Sequence, residues 1–233
     1  MRSRSDPSRP VRRVEVDPAA TVDALLDRGL NLPAGVTFLV GENGSGKSTL
    51  VEALAMAYGL NAEGGSRNAM HRTRETESPL GGALRVVRTP GRRANAYFLR
   101  AETAHGFYTY LEDLPRSPDG DLHERSHGEG FLALLERKFT GYGFFLMDEP
   151  EAPLSFLSTL GLLARLDALR DEGSQVVVAT HSPLLTALPG ATILELGDHG
   201  IRKVAWEDLA VVGHWRRFLD QPGAYLDPLL RGD

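Results

Sequence analysis

The chain has 233 residues, of which 42% are hydrophobic and 24% are charged, so it contains enough apolar material for a buried core. At about 150 residues per domain, this length predicts one compact body with an insertion and excludes a multidomain array. The formal net charge is −5 and the chain has no cysteine, which excludes disulfides, thiolate nucleophiles and cysteine-ligated metals.

Neither a membrane span nor a secretory signal is visible in the sequence. No apolar run approaches the roughly 18 residues that cross a bilayer. The segment Met-Arg-Ser-Arg-Ser-Asp-Pro at the start lacks the apolar stretch of a signal peptide. We therefore expect a cytoplasmic protein with no membrane insertion of its own.

Positive charge is concentrated in two segments. Residues 1–13 contain five arginines and one acid, and residues 64–100 contain eight arginines and two acids. These segments carry net charges of +4 and +6, which leaves −15 for the rest of the chain. This asymmetry suggests a surface in the 64–100 segment that attracts an anionic partner such as DNA. The alternative is an ordinary solvated surface behind a disordered N terminus, residues 1–12.

Hydrophobic periodicity and turn residues predict alternating strands and helices. The predicted strands are residues 36–40, 84–87, 96–99, 144–147, 175–179, 192–196 and 201–205. The predicted helices are residues 48–57, 131–139, 154–170 and 207–219. In the third helix, five leucines spaced by three residues are predicted to face the core, namely Leu157, Leu160, Leu163, Leu166 and Leu169.

A single domain is expected over residues 13–233. Within it, residues 64–140 are rich in turn signals and are interpreted as an inserted subdomain. Three of the predicted strands, residues 36–40, 144–147 and 175–179, are largely apolar, which is typical of buried parallel strands. The segment after Pro222 gives no prediction.

A glycine-rich motif follows the first of these apolar strands. Residues 41–48, Gly-Glu-Asn-Gly-Ser-Gly-Lys-Ser, satisfy the phosphate-loop pattern G-x-x-x-x-G-K-[ST]. In such a loop, backbone N–H groups and the start of the following helix face the phosphates of a nucleotide. Lys47 is predicted to reach the β- and γ-phosphate oxygens, and Ser48 is predicted to place its hydroxyl on Mg²⁺.

Two acids follow the apolar strand at residues 144–147. Mg²⁺ at a phosphate loop takes a carboxylate from the end of a neighbouring strand, and Asp148 has this position. Glu149 is then placed to orient or deprotonate the attacking water, so hydrolysis is predicted. On its own, the Asp-Glu-Pro sequence is equally typical of an acidic turn at the start of a helix.

His181 lies just beyond the strand at residues 175–179. Ligands of parallel α/β sheets bind outside the carboxyl ends of the strands, so Gly41, Asp148 and His181 are expected to converge on one γ-phosphate. We interpret His181 as a phosphate-sensing residue. The alternative is a structural histidine with satisfied hydrogen bonds.

Together these motifs resemble those of the ABC-class ATPases, in the branch shared by transporter cassettes and by SMC- and RecF-like DNA-repair heads. Residues 41–49 look like their Walker A motif, residues 144–150 look like their Walker B motif, and His181 looks like their switch histidine. Residues 125–129, Arg-Ser-His-Gly-Glu, are similar to their signature motif. The resemblance covers residues 36–183 and is strong for small stand-alone ATPases with a Ser-His-Gly-Glu signature.

The resemblance implies an α/β fold of the P-loop NTPase, ABC-ATPase type, with a mainly parallel core sheet, flanking helices and an inserted β/helical subdomain. It implies ATP and Mg²⁺ as ligands, with Ser48 and Asp148 on the metal and with Lys47, Glu149 and His181 in catalysis. The implied nucleotide-binding residues are Gly41, Asn43, Gly44, Ser45, Gly46, Lys47, Ser48, Thr49, Ser126 and Gly128. It also implies an ATP-bridged homodimer, in which the signature of one subunit closes over the nucleotide of the other.

The chain departs from the family's signature, where His127 stands in place of the first glycine and Glu129 in place of the glutamine, and from transporter cassettes in two further places. Their glutamine after the strand that enters the helical region is absent, and Arg100 or Glu102 is the candidate substitute. No aromatic residue precedes Phe38 to stack against adenine. Either Arg12 or Arg13 takes that role, or the base is read only loosely.

These departures and the arginine-rich segment favour an ATPase of DNA repair, maintenance or defence. One alternative is the ATP-binding subunit of an ABC transporter whose membrane subunits are separate chains. The other is a nucleotide-dependent binding module without hydrolysis, which the presence of Glu149 disfavours.

Overall fold

The structure is a computed structural model, and it describes residues 9–16, 30–66, 82–90, 94–100 and 127–231. The side chains of residues 127–130 are not part of this description. Predictions on other residues, among them Ser126 and Glu102, lie outside the described part of the chain.

A six-stranded sheet forms the centre of the described residues. Its strands in spatial order are β4 (Asn95–Arg100), β5 (Gly143–Asp148), β6 (Gln175–Ala179), β2 (Gly35–Val40), β7 (Thr192–Gly197) and β8 (Gly200–Val204). The first five of these are parallel to their neighbours, and β8 is antiparallel to β7. Every residue of β2, β5 and β6 is buried, as expected where both faces of a parallel sheet are covered.

Helices cover the two faces of this sheet. Leu39 of β2 belongs to the buried cluster that contains α1 (Lys47–Tyr58). Phe38 belongs to the cluster on the opposite face, which contains α2 (His127–Lys138) and α3 (Phe156–Asp171). Successive strand residues point to opposite faces, which explains why neighbouring residues enter different clusters. The predicted α/β sheet flanked by helices is confirmed.

Sequence periodicity located the regular elements well. Each end of the predicted strands lies within one residue of the strand found in the structure. The helix predicted over residues 131–139 begins earlier, at His127, and the helix predicted over residues 207–219 begins later, at Ala210.

A second, two-stranded sheet lies beside α1. In it β1 (Val11–Val16) pairs antiparallel with β3 (Leu84–Arg88). Val11, Val14 and Leu84 are buried in the same cluster as the apolar face of α1. This small sheet therefore covers the helix that begins at the phosphate-loop motif.

The strand β1 corrects the prediction of a disordered N terminus over residues 1–12. Val11 and Arg12 begin this strand, and Val11 is fully buried. The N–H of Val11 donates to Gln175 Oε1 at 2.9 Å, which ties β1 to the start of β6. Residues 1–8 of that prediction lie outside the described part of the chain.

Part of the segment predicted as an insertion, residues 64–140, belongs to the main body. β4 pairs with β5 along its whole length, and Leu135 and Phe139 are buried in the core beside α3. β4 extends the apolar surface of the six-stranded sheet, and the segment with Leu135 and Phe139 packs on that surface. Residues 67–81 and 101–126 lie outside the described residues, and the limits of an insertion stay a prediction.

The prediction that five leucines of α3 face the core is wrong near the start of the helix. Leu166 and Leu169 are fully buried, whereas Leu157 is 75% exposed and Leu160 is 40% exposed. A step of three residues turns by about 300° around an α-helix, so a stripe with this spacing drifts off one face. Leu162 is buried instead, because it is close to one turn from Leu166.

Two helices follow β8, namely α4 (Ala210–Asp220) and α5 (Gly223–Arg231). Val212 of α4 is buried in the core, whereas α5 is exposed along most of its length. The second of these helices lies where the sequence gives no prediction. Among the described helices, none has both the length and the hydropathy that crossing a membrane requires.

Candidate functional site

The loop between β2 and α1 has the backbone shape of a phosphate loop. Gly41 has φ of 152°, and a Cβ placed there would lie 2.4 Å from the carbonyl oxygen of Leu196, so a larger residue does not fit. Gly46, at the start of α1, has φ of 89° and has no neighbouring atom within 4 Å of a Cβ position. The loop is thus pressed against β7 on one side and open on the other. An open concave backbone before a helix N terminus fits the phosphates of a nucleotide.

Lys47 lies inside this loop. Its side-chain ammonium donates to the carbonyl oxygens of Gly41 at 3.0 Å and Glu42 at 2.9 Å, and the residue is only 4% exposed. Burial lowers the pKa of Lys47 below its usual value, and the carboxylates of Glu149 and Asp148 oppose this shift. The ammonium is therefore close enough to both acids to interact with them electrostatically.

Ser48 and Asp148 come from distant parts of the chain and meet beside the loop. Ser48 is on the first turn of α1, and Asp148 is the last residue of β5. The hydroxyl of Ser48 donates to Asp148 Oδ1 at 2.9 Å, and Asp148 is only 7% exposed. A hydroxyl and a buried carboxylate oxygen at one point are donors that Mg²⁺ prefers.

This donor set fits a cation that shares its ligands with a substrate. Mg²⁺ is commonly held by one or two protein oxygens, with phosphates and waters as its other ligands. The described residues contain no group of three or more His, Cys, Asp and Glu that could hold a metal alone. Ser48 and Asp148 are thus suited to Mg²⁺ that arrives with a nucleotide.

Glu149 adopts an uncommon backbone conformation next to this pair. Its φ is 49°, and among the described non-glycine residues it alone has a positive φ. Its N–H donates to the carbonyl oxygen of Ala179 at 2.9 Å, which holds the turn against the end of β6. Backbone strain of this kind costs about 1–3 kcal/mol and occurs often where a side chain must be aimed at a reaction centre.

His181 lies across from Glu149. His181 follows β6, and its Nε2 is 3.6 Å from Glu149 Oε1, with both side chains partly open to solvent. A third acid, Glu151, holds this segment. One of its carboxylate oxygens accepts from the N–H of His181 at 3.1 Å and from the hydroxyl of Thr180. Glu151 is absent from the sequence-based predictions, although an acid two residues after Glu149 is a visible signal.

Arg100 is at the end of β4, beside the same carboxylate. Its Nε is 4.0 Å from Asp148 Oδ2, and its Nη1 is 3.4 Å from Glu52 Oε2. Glu52 is also absent from the sequence-based predictions, although it is four residues after Ser48 and therefore on the same side of α1. Of the two candidates for the missing glutamine, Arg100 reaches the site and Glu102 lies outside the described residues.

The other predicted nucleotide-binding residues that the structure describes lie in the loop, on α1 and on α2. Asn43 and Gly44 are exposed at the loop, and Ser45 Oγ is 3.4 Å from Lys47 Nζ. Thr49 follows on the exposed side of α1. Gly128 is in the first turn of α2, while Ser126 lies outside the described part of the chain.

Comparison with known proteins gives the following similarities. Residues 25–88 match the family model AAA_23, an AAA domain. The chain is 31% identical over 226 residues to the ribose import ATP-binding protein RbsA 1 of Burkholderia ambifaria, with 84% of this chain and 42% of that protein covered. The RbsA 1 protein of Burkholderia cenocepacia is 30% identical over 211 residues, with 79% and 39% covered.

Among solved structures, the chain is similar to an SMC head domain from Thermotoga maritima. The TM-score is 0.47 and the identity is 16%, with 84% of this chain and 98% of that chain covered. The chain spans about two fifths of the length of the curated relatives that it matches.

Proposed function

Because the chain belongs to the ABC-class P-loop ATPases, we propose that it binds ATP with Mg²⁺ and hydrolyses the bond between the β- and γ-phosphates. One observation carries the proposal. Beside an open glycine loop, Lys47 and Ser48 lie together with two acids from about a hundred positions further along the chain, Asp148 and Glu149. Positive charge, a hydroxyl and two carboxylates at a helix N terminus are the groups that phosphoryl transfer uses.

The chain's own residues bind the nucleotide and accept the proton that the attacking water loses. The loop N–H groups and Lys47 hold the phosphate oxygens, and Ser48 and Asp148 hold Mg²⁺. The metal, when bound, supplies positive charge to the phosphates as negative charge develops on them. Glu149 accepts a proton from the attacking water, and His181 orients the γ-phosphate that this water attacks. The products are ADP and inorganic phosphate.

A homodimer formed around ATP belongs to this proposal. In the resemblance, Ser126 and Gly128 of one subunit complete the phosphate cage of the other. The partly exposed side chains of Glu149 and His181 support a site that is open on one side until a partner covers it. Light scattering of the full chain with and without Mg²⁺ and ATP tests this point. A mass that stays monomeric at saturating ATP contradicts it.

Nucleic acid is the first candidate for the work that hydrolysis drives. Arg85, exposed on β3, supports a basic surface. Arg88 donates to the carbonyl oxygen of Tyr58 at 2.6 Å, and Arg100 contacts Glu52, so these two arginines make internal contacts. Five more arginines of the segment lie outside the described residues and would have to supply most phosphate contacts, namely Arg67, Arg72, Arg74, Arg92 and Arg93.

Transport is the second candidate. It is supported by the curated relatives, which are ATP-binding proteins of ribose import. In this case the chain would bind membrane subunits that are separate proteins. It would bind them from the cytoplasmic side of the membrane, in keeping with the predicted cytoplasmic location.

One experiment separates the two candidates. Phosphate release is measured with duplex DNA, with single-stranded DNA and without nucleic acid, over a range of salt concentrations. Stimulation by DNA that falls steeply with salt supports the nucleic-acid candidate, because arginine contacts to phosphates release counterions. A rate that DNA leaves unchanged, together with recovery of integral membrane proteins by the ATP-bound chain, supports transport instead.

A further inference from the structure

Two side chains at the ends of adjacent strands share one face of the sheet. Arg100 of β4 and Asp148 of β5 are register partners on parallel strands, so their side chains point the same way. This is the face covered by α1, because Ser48 of that helix donates to Asp148 Oδ1. The other carboxylate oxygen, Oδ2, is 4.0 Å from Arg100 Nε.

Glu52 contacts the same guanidinium from the helix. It is four residues after Ser48, so the two side chains lie on one side of α1 and about one turn apart. Arg100 Nη1 is 3.4 Å from Glu52 Oε2. The helix is thus joined to the sheet twice, by Ser48 with Asp148 and by Glu52 with Arg100, and the two contacts meet at one carboxylate.

Solvent screens these charges weakly. The side chains are 10% exposed for Asp148, 14% for Glu52 and 24% for Arg100. Charges in such surroundings interact more strongly than charges on an open surface.

We propose that Arg100 sets the Mg²⁺ affinity of the nucleotide site by competing with the cation for the negative charge of Asp148. Glu52 limits this competition because it holds the guanidinium between two carboxylates. The inference rests on the proposed function, since it requires Asp148 to bind Mg²⁺. Arg100 acts through Asp148 and is therefore a positioning residue.

Substitutions at the two partners have opposite expected effects. Arg100→Gln removes the positive charge beside Asp148, so Mg²⁺ binds more tightly. Glu52→Gln removes one negative charge that draws the guanidinium away from Asp148, so Arg100 competes more strongly for that carboxylate and Mg²⁺ binds more weakly. A charge within about 4–6 Å changes the proton affinity of a carboxylate by roughly tenfold or more, and we expect a similar change, about tenfold, in the Mg²⁺ half-saturation concentration.

The test uses the full chain and the fluorescent nucleotide mant-ATP. Protein and nucleotide are held at fixed concentration in a metal-free buffer, Mg²⁺ is added stepwise, and the half-saturation concentration is read from the fluorescence. Arg202→Gln is the matched control, because Arg202 pairs with Glu195 at 2.5 Å near the opposite edge of the same sheet. Arg100→Lys retains a positive charge, so its half-saturation concentration is expected to be closer to that of the unaltered chain than the value for Arg100→Gln is.

Opposite shifts for Arg100→Gln and Glu52→Gln, with no shift for Arg202→Gln, support the inference. Shifts in the same direction, or values within twofold of the unaltered chain, overturn it even if nucleotide binding depends on Mg²⁺. If the unaltered chain binds mant-ATP equally well with and without Mg²⁺, the proposed metal site itself fails, and the inference fails with it. Thermal unfolding without nucleotide confirms that each variant is folded, and the weaker Mg²⁺ binding expected of Glu52→Gln carries the test if Arg100→Gln is not folded.

Discussion

The hydroxyl of Ser48 donates to Asp148 Oδ1 across 2.9 Å, although the two residues are 100 positions apart in the sequence. The contact joins the first turn of α1 to the end of β5 and places the two proposed Mg²⁺ ligands together. Ser48 directly follows Lys47, the last residue but one of the phosphate-loop motif, so both proposed ligands lie beside that loop.

Asp148→Asn is expected to remove the effect of Mg²⁺ on nucleotide binding. The amide keeps the size of the side chain but lacks the negative charge that a divalent cation needs. In calorimetry the unaltered chain should bind ATP at least about tenfold more tightly with Mg²⁺ than with EDTA, and the variant should show little difference. Asp220→Asn, at an exposed position of α4, is the control. An undiminished Mg²⁺ effect in Asp148→Asn would exclude this carboxylate as a ligand.

Lys47→Ala is expected to weaken ATP binding. A charged hydrogen bond contributes about 1.5–3 kcal/mol, so the dissociation constant should rise by roughly 10–100-fold. The measurement is calorimetry, with circular dichroism to show that the fold is retained. Lys203→Ala, at an exposed position of β8, is the matched control and should bind like the unaltered chain. Equal affinity in both variants would contradict the phosphate-loop assignment.

Glu151→Ala is expected to reduce turnover more than nucleotide affinity. The truncation removes the acceptor for the N–H of His181 and for the hydroxyl of Thr180, so the segment that carries His181 is no longer fixed. Two unsatisfied donors also destabilise the fold by about 1–3 kcal/mol, measured by urea unfolding. Glu151→Gln keeps a carbonyl oxygen and should restore most of both quantities. A variant with normal turnover would show that this acid does not position the histidine.

Gln175→Ala is expected to destabilise the protein without acting at the site. Gln175 is fully buried, accepts from the N–H of Val11, and donates to the carbonyl oxygens of Leu32 and Pro33. Three backbone groups, two of them in fully buried contacts, lose their partner, which corresponds to about 3–5 kcal/mol in the free energy of unfolding. Gln221→Ala, at an exposed position, should change it by less than about 0.5 kcal/mol. Equal stabilities would contradict the role of Gln175 in fastening β1.

The sequence predicts the core of the site because the relevant signals are local. The buried strands are short, mainly apolar runs, and polar residues stand at or just after their ends, as Asp148 does in β5 and His181 does after β6. Parallel strands bring such ends to one edge of the sheet. Knowing that Asp148 and His181 each follow an apolar run is enough to expect them near the loop that follows β2. Their functional roles stay predictions.

Other contacts depend on packing that no local pattern records. Glu52 is an ordinary surface-type residue in the sequence, and only the position of β4 beside β5 brings Arg100 to it. The spacing of Leu157 suggests a core position, but the helix turns it toward solvent. Val11 belongs to a segment rich in arginine and proline, yet Gln175, far along the chain, supplies the partner that orders it.

The most direct test of ATP hydrolysis at this site is phosphate release by the unaltered chain and by Glu149→Gln, with Glu207→Gln as an exposed control. The variant retains the size of the side chain but cannot accept the proton of the attacking water. We predict Mg²⁺-dependent release by the unaltered chain and the control, and a loss of about 10²–10⁴-fold in Glu149→Gln, which still binds ATP and accumulates as a dimer. Equal rates in Glu149→Gln and the unaltered chain, or no release by the unaltered chain, would contradict the account.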